Sequence, residues 1–327
     1  MARTDVLIVS VGSTTGWRSA ADELLGALAR AGARVEMVRT GPLPRVRTFA
    51  LTDLVEARAA RRACIAGIAE HDPRAIIYCS ITAALLWPRP GAIWLDSIAA
   101  ENRPGRHGVW QRVIERRRLA QAPLVLTLSD RALAALSSAR PDELVLPPPV
   151  EGSALSGRRD IDAITYAGDP VKRRLALVLD TWARARRSGE TLVVTGYDGV
   201  SPADGVTVAG RVAPADFREL LGRAKVFVAA PRREDFGIAA LEALAHGCML
   251  ATTPSPGPYP ALDLARALDP RLVGEDLATA VRTALDDPLP GYADRAAELL
   301  TKFRRQALDR SVAEDVLPRL LPGFAAR

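Results

Sequence analysis

Short apolar runs alternate with longer amphipathic stretches along the 327-residue chain. Near-continuous apolar runs are expected of strands that are buried on both faces of a parallel sheet. In the first half of the chain these runs are Val6–Val11, Val35–Val38, Ala75–Cys79, Ala92–Leu95, Leu124–Leu128 and Leu144–Leu146. The stretches between them have the periodicity of helices that cover such a sheet, as in Ser19–Ala31 and Val109–Ala120.

A second series of apolar runs follows, separated from the first by three consecutive prolines, Pro147 to Pro149. Proline has no amide proton to donate, so this run ends a sheet. The later runs are Ala163–Tyr166, Leu192–Thr195, Val206–Val208, Val226–Ala229 and Met249–Thr252. The pattern predicts an α/β fold of two Rossmann-like parallel-sheet domains, 1–147 and 161–309, joined by a linker at 148–160. The last segment, 310–327, is predicted to form a helix that packs back on the first domain.

The charge balance is basic, with a formal net charge of +6, but it does not indicate a nucleic-acid partner. Only three of the 44 basic residues are lysine, which is typical of GC-rich coding. No aromatic residues are interleaved with the basic ones to stack on bases. Contact with an anionic membrane surface stays open as a hypothesis.

Cysteine usage and the absence of long apolar segments favour a cytoplasmic protein, with the inner face of the membrane as an alternative site. The three cysteines lie in apolar surroundings without a CxxC pair, as expected of buried thiols in a reducing compartment. The first twelve residues read as a strand rather than a signal peptide. The longest apolar stretch, Ala75 to Trp87, is too short to span a bilayer.

The segment from Pro231 to Gly247 carries the strongest chemical signal. It follows an apolar strand and opens a helix, with Glu234 in the loop and Glu242 eight positions later. Gly237 permits close backbone approach, so the amides of Phe236, Gly237 and Ile238 would lie at a helix N-terminus that favours an anion such as a diphosphate. Carboxylates on either side of that site accept hydrogen bonds from sugar hydroxyls or from the diol of a ribose.

A second basic turn, from Tyr166 to Arg174, follows the first strand of the second domain. Gly168 allows a tight turn, and Lys172 and Arg173 then stand at the start of a helix. Such an arrangement suits a phosphate-binding site. A third glycine-containing turn, with Gly12 and Gly16, follows the first strand of the chain but lacks the spacing of a dinucleotide fingerprint.

The Glu234 block resembles the donor-site signature of family-4 retaining glycosyltransferases of the GT-B fold, E-G-F-G-x-x-x-x-E-A-x-A-x-G after a strand. Here Asp235 stands in place of the first glycine. The resemblance implies that Glu234 orients the sugar of a nucleoside-diphosphate sugar and that Glu242 holds the ribose. Lys172 matches a family lysine on the diphosphate, whereas the family's arginine is replaced by Asp169 or deleted, so Arg173 or Arg232 would substitute.

The same resemblance places Gly16 beside the donor phosphates and Arg211 in the turn beside the nucleobase. It implies transfer of a sugar from a UDP- or GDP-sugar to an acceptor hydroxyl, with retention at the anomeric carbon and without a cofactor. The Asp160-Ile-Asp162 string precedes a strand rather than following one, so no metal site is expected. Two alternatives stay open: a nucleotide-sugar epimerase of the same fold, and a catalytically degenerate nucleotide-sugar-binding partner subunit.

Overall fold

A computed structural model describes residues 3–41, 43, 46, 48–136, 142–152 and 157–324. The chain divides into two compact units, of which unit 1 comprises Met1–Pro149 with Arg305–Arg327 and unit 2 comprises Val150–Arg304. Each unit contains one parallel sheet, so the predicted fold of two parallel-sheet α/β domains is confirmed.

Unit 1 contains a sheet of six parallel strands in its described part, in the order β2-β1-β3-β4-β5-β6. The central strands β1, β4 and β5 are buried along their whole length and β3 nearly so, whereas the edge strands β2 and β6 are only partly buried. The strands are β1 (Val6–Ser10), β2 (Val35–Arg39), β3 (Ala75–Cys79), β4 (Ala92–Leu95), β5 (Val125–Thr127) and β6 (Glu143–Val145).

Four helices of unit 1, α1, α2, α3 and α6, begin at a threonine or serine whose side chain accepts a hydrogen bond from a backbone amide. In α1 the Thr14 side chain accepts a hydrogen bond from the Trp17 amide, and the alanine and leucine side chains from Ala20 to Leu28 form the buried stripe. The helices are α1 (Thr15–Arg30), α2 (Phe49–His71), α3 (Ile81–Ala84), α4 (Ala99–Asn102), α5 (Val109–Gln121) and α6 (Asp130–Ala134).

Unit 2 contains a sheet of five parallel strands among its described residues, in the order β11-β10-β7-β8-β9. The strands are β7 (Ile161–Tyr166), β8 (Leu192–Thr195), β9 (Val206–Gly210), β10 (Ala224–Ala229) and β11 (Met249–Thr252). The helices are α7 (Leu175–Ala185), α8 (Pro214–Arg223), α9 (Ile238–Ala245), α10 (Pro260–Leu268), α11 (Leu277–Asp286) and α12 (Tyr292–Leu299). The first strand, β7, therefore lies in the middle, with β8 on one side and β10 on the other.

The C-terminal segment of the chain belongs to unit 1. It forms α13 (Arg305–Ser311), a π-helical turn (Val312–Val316) and α14 (Leu317–Leu320) rather than one regular helix. Arg30 of α1 donates to Asp309 at 2.6 Å, and Arg305 donates to Glu23 at 2.9 Å. Of the predicted linker, residues 153–156 lie outside the described part of the chain.

Candidate functional site

The loops that follow β7 and β10 meet at one edge of the sheet in unit 2. These two strands are neighbours, with Ile164 paired to Phe227, although β8 and β9 separate them along the chain. The strand order reverses between them, and ligands of open α/β sheets bind beyond the carboxyl ends of the strands at such a point. The Arg232 amide donates to the Lys172 carbonyl at 2.9 Å, which joins the two loops directly.

The loop after β7 is held by Asp169. Its Oδ1 accepts hydrogen bonds from the amides of Val171 (3.1 Å) and Lys172 (2.9 Å), and its carbonyl accepts from the Arg173 amide. Short acidic side chains commonly close turns in this way. Asp169 therefore stabilises the turn, while Lys172 projects its side chain to the solvent.

Arg174, to which sequence analysis assigned no role, connects this loop to two strands. Its backbone adopts the left-handed conformation, with φ of 47°. Its Nε donates to the Ala230 carbonyl at 2.7 Å, and its Nη2 donates to the Thr253 hydroxyl at 2.6 Å. One side chain thus braces the carboxyl ends of β10 and β11, and these bonds offset the strain of a non-glycine residue in that region.

Arg173 and Glu234, both predicted site residues, form an ion pair between the two loops. The Glu234 residue is only 6% exposed, and the Arg173 side chain is 26% exposed. The guanidinium lies 5.9 Å from the centroid of the Tyr166 ring, a cation–π distance. Burial lowers the pKa of Arg173, and the neighbouring Tyr259, Tyr166 and Asp169 oppose that shift.

A proline-rich segment after β11 holds the backbone of Glu234. The Glu234 amide donates to the Pro256 carbonyl at 3.1 Å. Gly257, with φ of +105°, lies so close to the Glu234 carbonyl that a Cβ there would overlap it. Sequence reasoning did not assign a role to this segment, although its Ser-Pro-Gly-Pro-Tyr composition indicates a tight turn.

Gly237 is the N-cap residue of α9, and this position requires glycine for two independent reasons. Its φ is +79°, and a Cβ at this position would overlap the ring of the buried Tyr259. Ile238 is the first residue of α9 and is half-buried. The side chain of Phe236 is buried and lies 6.1 Å from the Phe303 ring, so only the main chain of Phe236 faces a ligand in the predicted role.

Glu242 lies about one turn into α9 and is half-buried. Burial raises the pKa of its carboxyl group, and the positive charge of Arg218 opposes that shift. Within the described residues its side chain makes no hydrogen bond or ion pair. A partly buried carboxylate without a partner is a common property of ligand-binding positions.

The structure brings some of the predicted residues together and leaves others apart. Arg173, Glu234 and Gly237 line one small cavity of about 20 Å³. Lys172, Phe236 and Ile238 flank it in sequence, whereas Glu242 and Arg211 do not line it. Arg211 is exposed after β9, where its amide donates to Asp198 Oδ1 at 3.3 Å. Gly16 lies in the first turn of α1, in unit 1.

Unit 1 has its own polar groups beyond the carboxyl ends of β1, β3 and β4. The Trp17 indole donates to Asp96 at 3.3 Å and packs edge-on against Trp94 with the ring centroids 5.6 Å apart. Ser80, directly after β3, has a φ of 104°, which is strained for a residue with a side chain.

Other acidic residues of the described chain do not assemble into a metal site. Asp160 pairs with Arg223 at 2.9 Å, and Asp162 pairs with Lys225 at 2.7 Å. No group of three His, Cys, Asp or Glu side chains is arranged to hold a metal ion among the residues described. In the same part of the chain, none of the helices combines the length and apolarity that crossing a membrane requires.

Comparisons with known proteins match the second unit to a family profile and the fold to solved structures. The family profile described as "Glycosyl transferases group 1" matches residues 162–287, which include both loops of the site. No curated protein matches the chain significantly.

Several of the solved structures that resemble the chain cover nearly all of it. WaaG, a glycosyltransferase involved in lipopolysaccharide biosynthesis, is 16% identical, with a TM-score of 0.70 over 97% of this chain and 100% of that one. Sucrose-phosphate synthase from Thermosynechococcus elongatus is 17% identical, with a TM-score of 0.72 over 96% and 98%. HepE of Anabaena, solved with UDP-glucose, is 14% identical, with a TM-score of 0.69 over 96% and 99%. The chain therefore has the fold of the GT-B glycosyltransferases, and its residues 162–287 match the group 1 glycosyl transferase family.

Proposed function

We propose that the chain is a retaining glycosyltransferase that moves a sugar from a UDP- or GDP-sugar to an acceptor hydroxyl without a metal ion. The observation that carries this proposal is the buried Glu234 carboxylate, paired with Arg173 where the loops after β7 and β10 meet. A carboxylate that accepts sugar hydroxyls then lies next to a guanidinium and a helix N-terminus, both of which attract a diphosphate. The site therefore contains groups for both ends of the bond that breaks.

In this proposal the second unit binds the donor with residues of both loops. Lys172, Arg173 and the amides from Phe236 to Ile238 neutralise the diphosphate as it leaves, which is the electrostatic part of the catalysis. Glu234 orients the sugar ring and Glu242 holds the ribose diol, while Arg211 lies towards the base. The prediction for Gly16, in unit 1, stays a prediction.

The reaction is proposed to follow front-face attack. The acceptor oxygen bonds to the anomeric carbon on the face from which the diphosphate departs, and an oxygen of the leaving phosphate accepts the acceptor's proton. This course gives retention without a protein nucleophile. Arg173, Lys172 and the start of α9 supply positive charge around the diphosphate, a task that a divalent cation performs in other transferases.

Two experiments test the proposal. A thermal-shift screen of nucleoside diphosphates identifies the base, because a ligand that binds only the folded state stabilises it by about 2.7 kcal/mol at one hundred times its Kd. Labelled donor is then incubated with and without acceptor in the presence of a chelator, and the anomeric configuration of the product is read by NMR.

We expect stabilisation by UDP or GDP and a product of retained configuration in the presence of the chelator. An inverted product, or activity that the chelator abolishes, contradicts the mechanism. An epimer formed without acceptor favours the epimerase alternative. Tight nucleotide binding with neither hydrolysis nor transfer favours a non-catalytic partner subunit.

We also propose that unit 1 contacts an anionic membrane surface, as a protein acting at the inner face of a membrane would. Four large apolar side chains of α2 and α5 are exposed, namely Leu51, Ile65, Val109 and Val113. Exposed arginines lie among them on the same helices, including Arg58, Arg62, Arg116 and Arg117. Apolar and basic groups together are what anionic lipid attracts, and sedimentation with anionic and neutral vesicles measures the preference.

A further inference from the structure

Glu234 depends on Arg173 for its charge balance in the free protein. Arg173 Nη1 contacts Glu234 Oε2, and apart from this ion pair that oxygen has no hydrogen-bond partner. A carboxylate that is 6% exposed loses most of its hydration, and an unpaired one would be strongly destabilising. The ion pair with Arg173 therefore compensates the buried charge of Glu234.

Arg173 also has the best position to bind a diphosphate among the three consecutive basic residues. Arg174 is committed to the Ala230 carbonyl and the Thr253 hydroxyl. Lys172 is exposed to solvent. Asp169 closes the turn with its own carboxylate. A guanidinium that neutralises the diphosphate from the inner side of this loop has to be that of Arg173.

The small space around the ion pair prevents Arg173 from contacting Glu234 and a diphosphate at the same time. The cavity beside the pair, lined by Arg173, Glu234, Tyr166 and Tyr259, has a volume of about 20 Å³, which admits about one water molecule. Sugar hydroxyls therefore cannot reach Glu234 Oε2 from this side while the guanidinium covers it. Arg173 serves either Glu234 or the diphosphate.

We propose that Arg173 is a positioning residue that couples the two halves of the donor site. In the free protein it holds Glu234 in an ion pair, and the diphosphate of an arriving donor attracts the guanidinium away and exposes the carboxylate to the sugar. This inference rests on the proposed function. It implies that a nucleoside diphosphate alone binds against a cost, because it leaves Glu234 without a partner, whereas the full donor replaces Arg173 with sugar hydroxyls.

The coupling predicts that removing the Glu234 charge tightens the binding of a nucleoside diphosphate. Calorimetric titration with UDP and with GDP compares the wild type with Glu234→Gln. Because the variant frees Arg173 from its competitor, we expect its Kd for the nucleoside diphosphate to fall by about tenfold. The affinity for the intact donor relative to the nucleoside diphosphate should fall in the same variant, since its sugar loses the carboxylate.

Asp235→Asn is the matched control, because it removes a carboxylate one residue away. Asp235 pairs with Arg233 at 2.8 Å rather than with Arg173. Its Kd for the nucleoside diphosphate is expected to change less than about twofold, since only the long-range charge differs. Equal tightening in both variants would assign the effect to net charge and overturn the coupling.

Arg173→Ala gives a second test that does not depend on turnover. If Arg173 transmits the effect, adding Glu234→Gln to Arg173→Ala no longer tightens the binding of the nucleoside diphosphate. The double variant should melt at a higher temperature than Arg173→Ala alone, because it no longer contains an unpaired buried carboxylate. Unchanged or weaker binding in Glu234→Gln, beside a wild type that binds UDP or GDP, overturns the coupling but not the proposed function. A wild type that binds neither nucleotide overturns both.

Discussion

Each unit of the chain contains a buried ion pair between an arginine and a carboxylate. The two pairs differ in how many hydrogen bonds the carboxylate accepts. In unit 1, Asp53 is 4% exposed and both of its oxygens accept hydrogen bonds. Arg103 donates to them at 2.7 and 3.1 Å, and the Gln111 amide donates at 2.7 Å. In unit 2, Oε2 of the equally buried Glu234 has the contact with Arg173 and no hydrogen bond.

The number of hydrogen bonds suggests different roles for the two ion pairs. The Arg103–Asp53 pair is structural, whereas the Arg173–Glu234 pair is suited to the replacement of one partner by a ligand. The Asp53 cluster joins α2, the segment after α4 and α5 by three well-formed hydrogen bonds, so a ligand would have to break all of them. The Arg173–Glu234 pair joins two loops at the switch point of a sheet. Burial of charge is therefore common to both pairs, and the hydrogen bonds that the carboxylate accepts distinguish them.

The largest effect is expected from Glu234→Ala, which removes the carboxylate of the unsatisfied pair. Loss of one group that orients the sugar in the transition state should lower kcat by about 10²- to 10³-fold. The fold should persist, because Arg173 is partly exposed and its charge can reach solvent. Initial rates of sugar transfer and far-UV circular dichroism measure the two effects, and near-normal turnover would refute the role of Glu234.

Arg103→Ala should show the opposite behaviour, with a loss of stability and an unchanged donor affinity. The variant leaves the Asp53 carboxylate buried with Gln111 as its remaining donor. Breaking a buried pair in this way costs about 3 kcal/mol in the free energy of unfolding. Urea denaturation and nucleotide titration of the same variant give both quantities. If donor affinity fell tenfold while stability held, the distinction between the two pairs would be wrong.

The smallest effect concerns Glu115, which lies near the satisfied pair. Both of its oxygens accept from the Ala99 amide at 2.9 Å, and burial raises the pKa of its carboxyl group to about 7. The folded state therefore retains a proton that the unfolded state releases near pH 4.5, so stability decreases as the pH rises towards 7 and then levels off. Glu115→Gln should remove on the order of 1 kcal/mol per pH unit from that slope. Denaturation curves between pH 5 and 8 measure how the free energy of unfolding depends on pH. An unchanged slope in the variant would assign the titration to another group. Glu56 is one such group, because burial raises its pKa to about 6.

The fold could be predicted from the sequence because it depends on patterns that a single chain displays. All eleven predicted apolar runs overlap strands of the described structure, and the central strands are largely apolar because both of their faces are buried. The motif from Pro231 to Gly247 likewise indicated the loop, the glycine before α9 and the helix end, because each requires a residue type that is visible in sequence.

The internal arrangement of the site could not be predicted, because it depends on contacts between segments far apart in the chain. Nothing local to Arg173 and Arg174 indicates that the first pairs with Glu234 and the second with Ala230 and Thr253. The sequence left Arg173 and Arg232 as equal substitutes for the missing arginine. In the structure Arg232 is exposed, and its Nε donates to the Val171 carbonyl at 3.2 Å, whereas Arg173 lines the cavity with Glu234.

The left-handed backbone of Arg174 also limits how this loop can change over evolutionary time. Glycine would fit the backbone angle but would lose both hydrogen bonds, and lysine would keep the strain while offering a single point of donation. No single substitution therefore preserves both properties of the residue. Lineages that alter position 174 should carry compensating changes near Ala230 or Thr253, so that the three positions are inherited as a set.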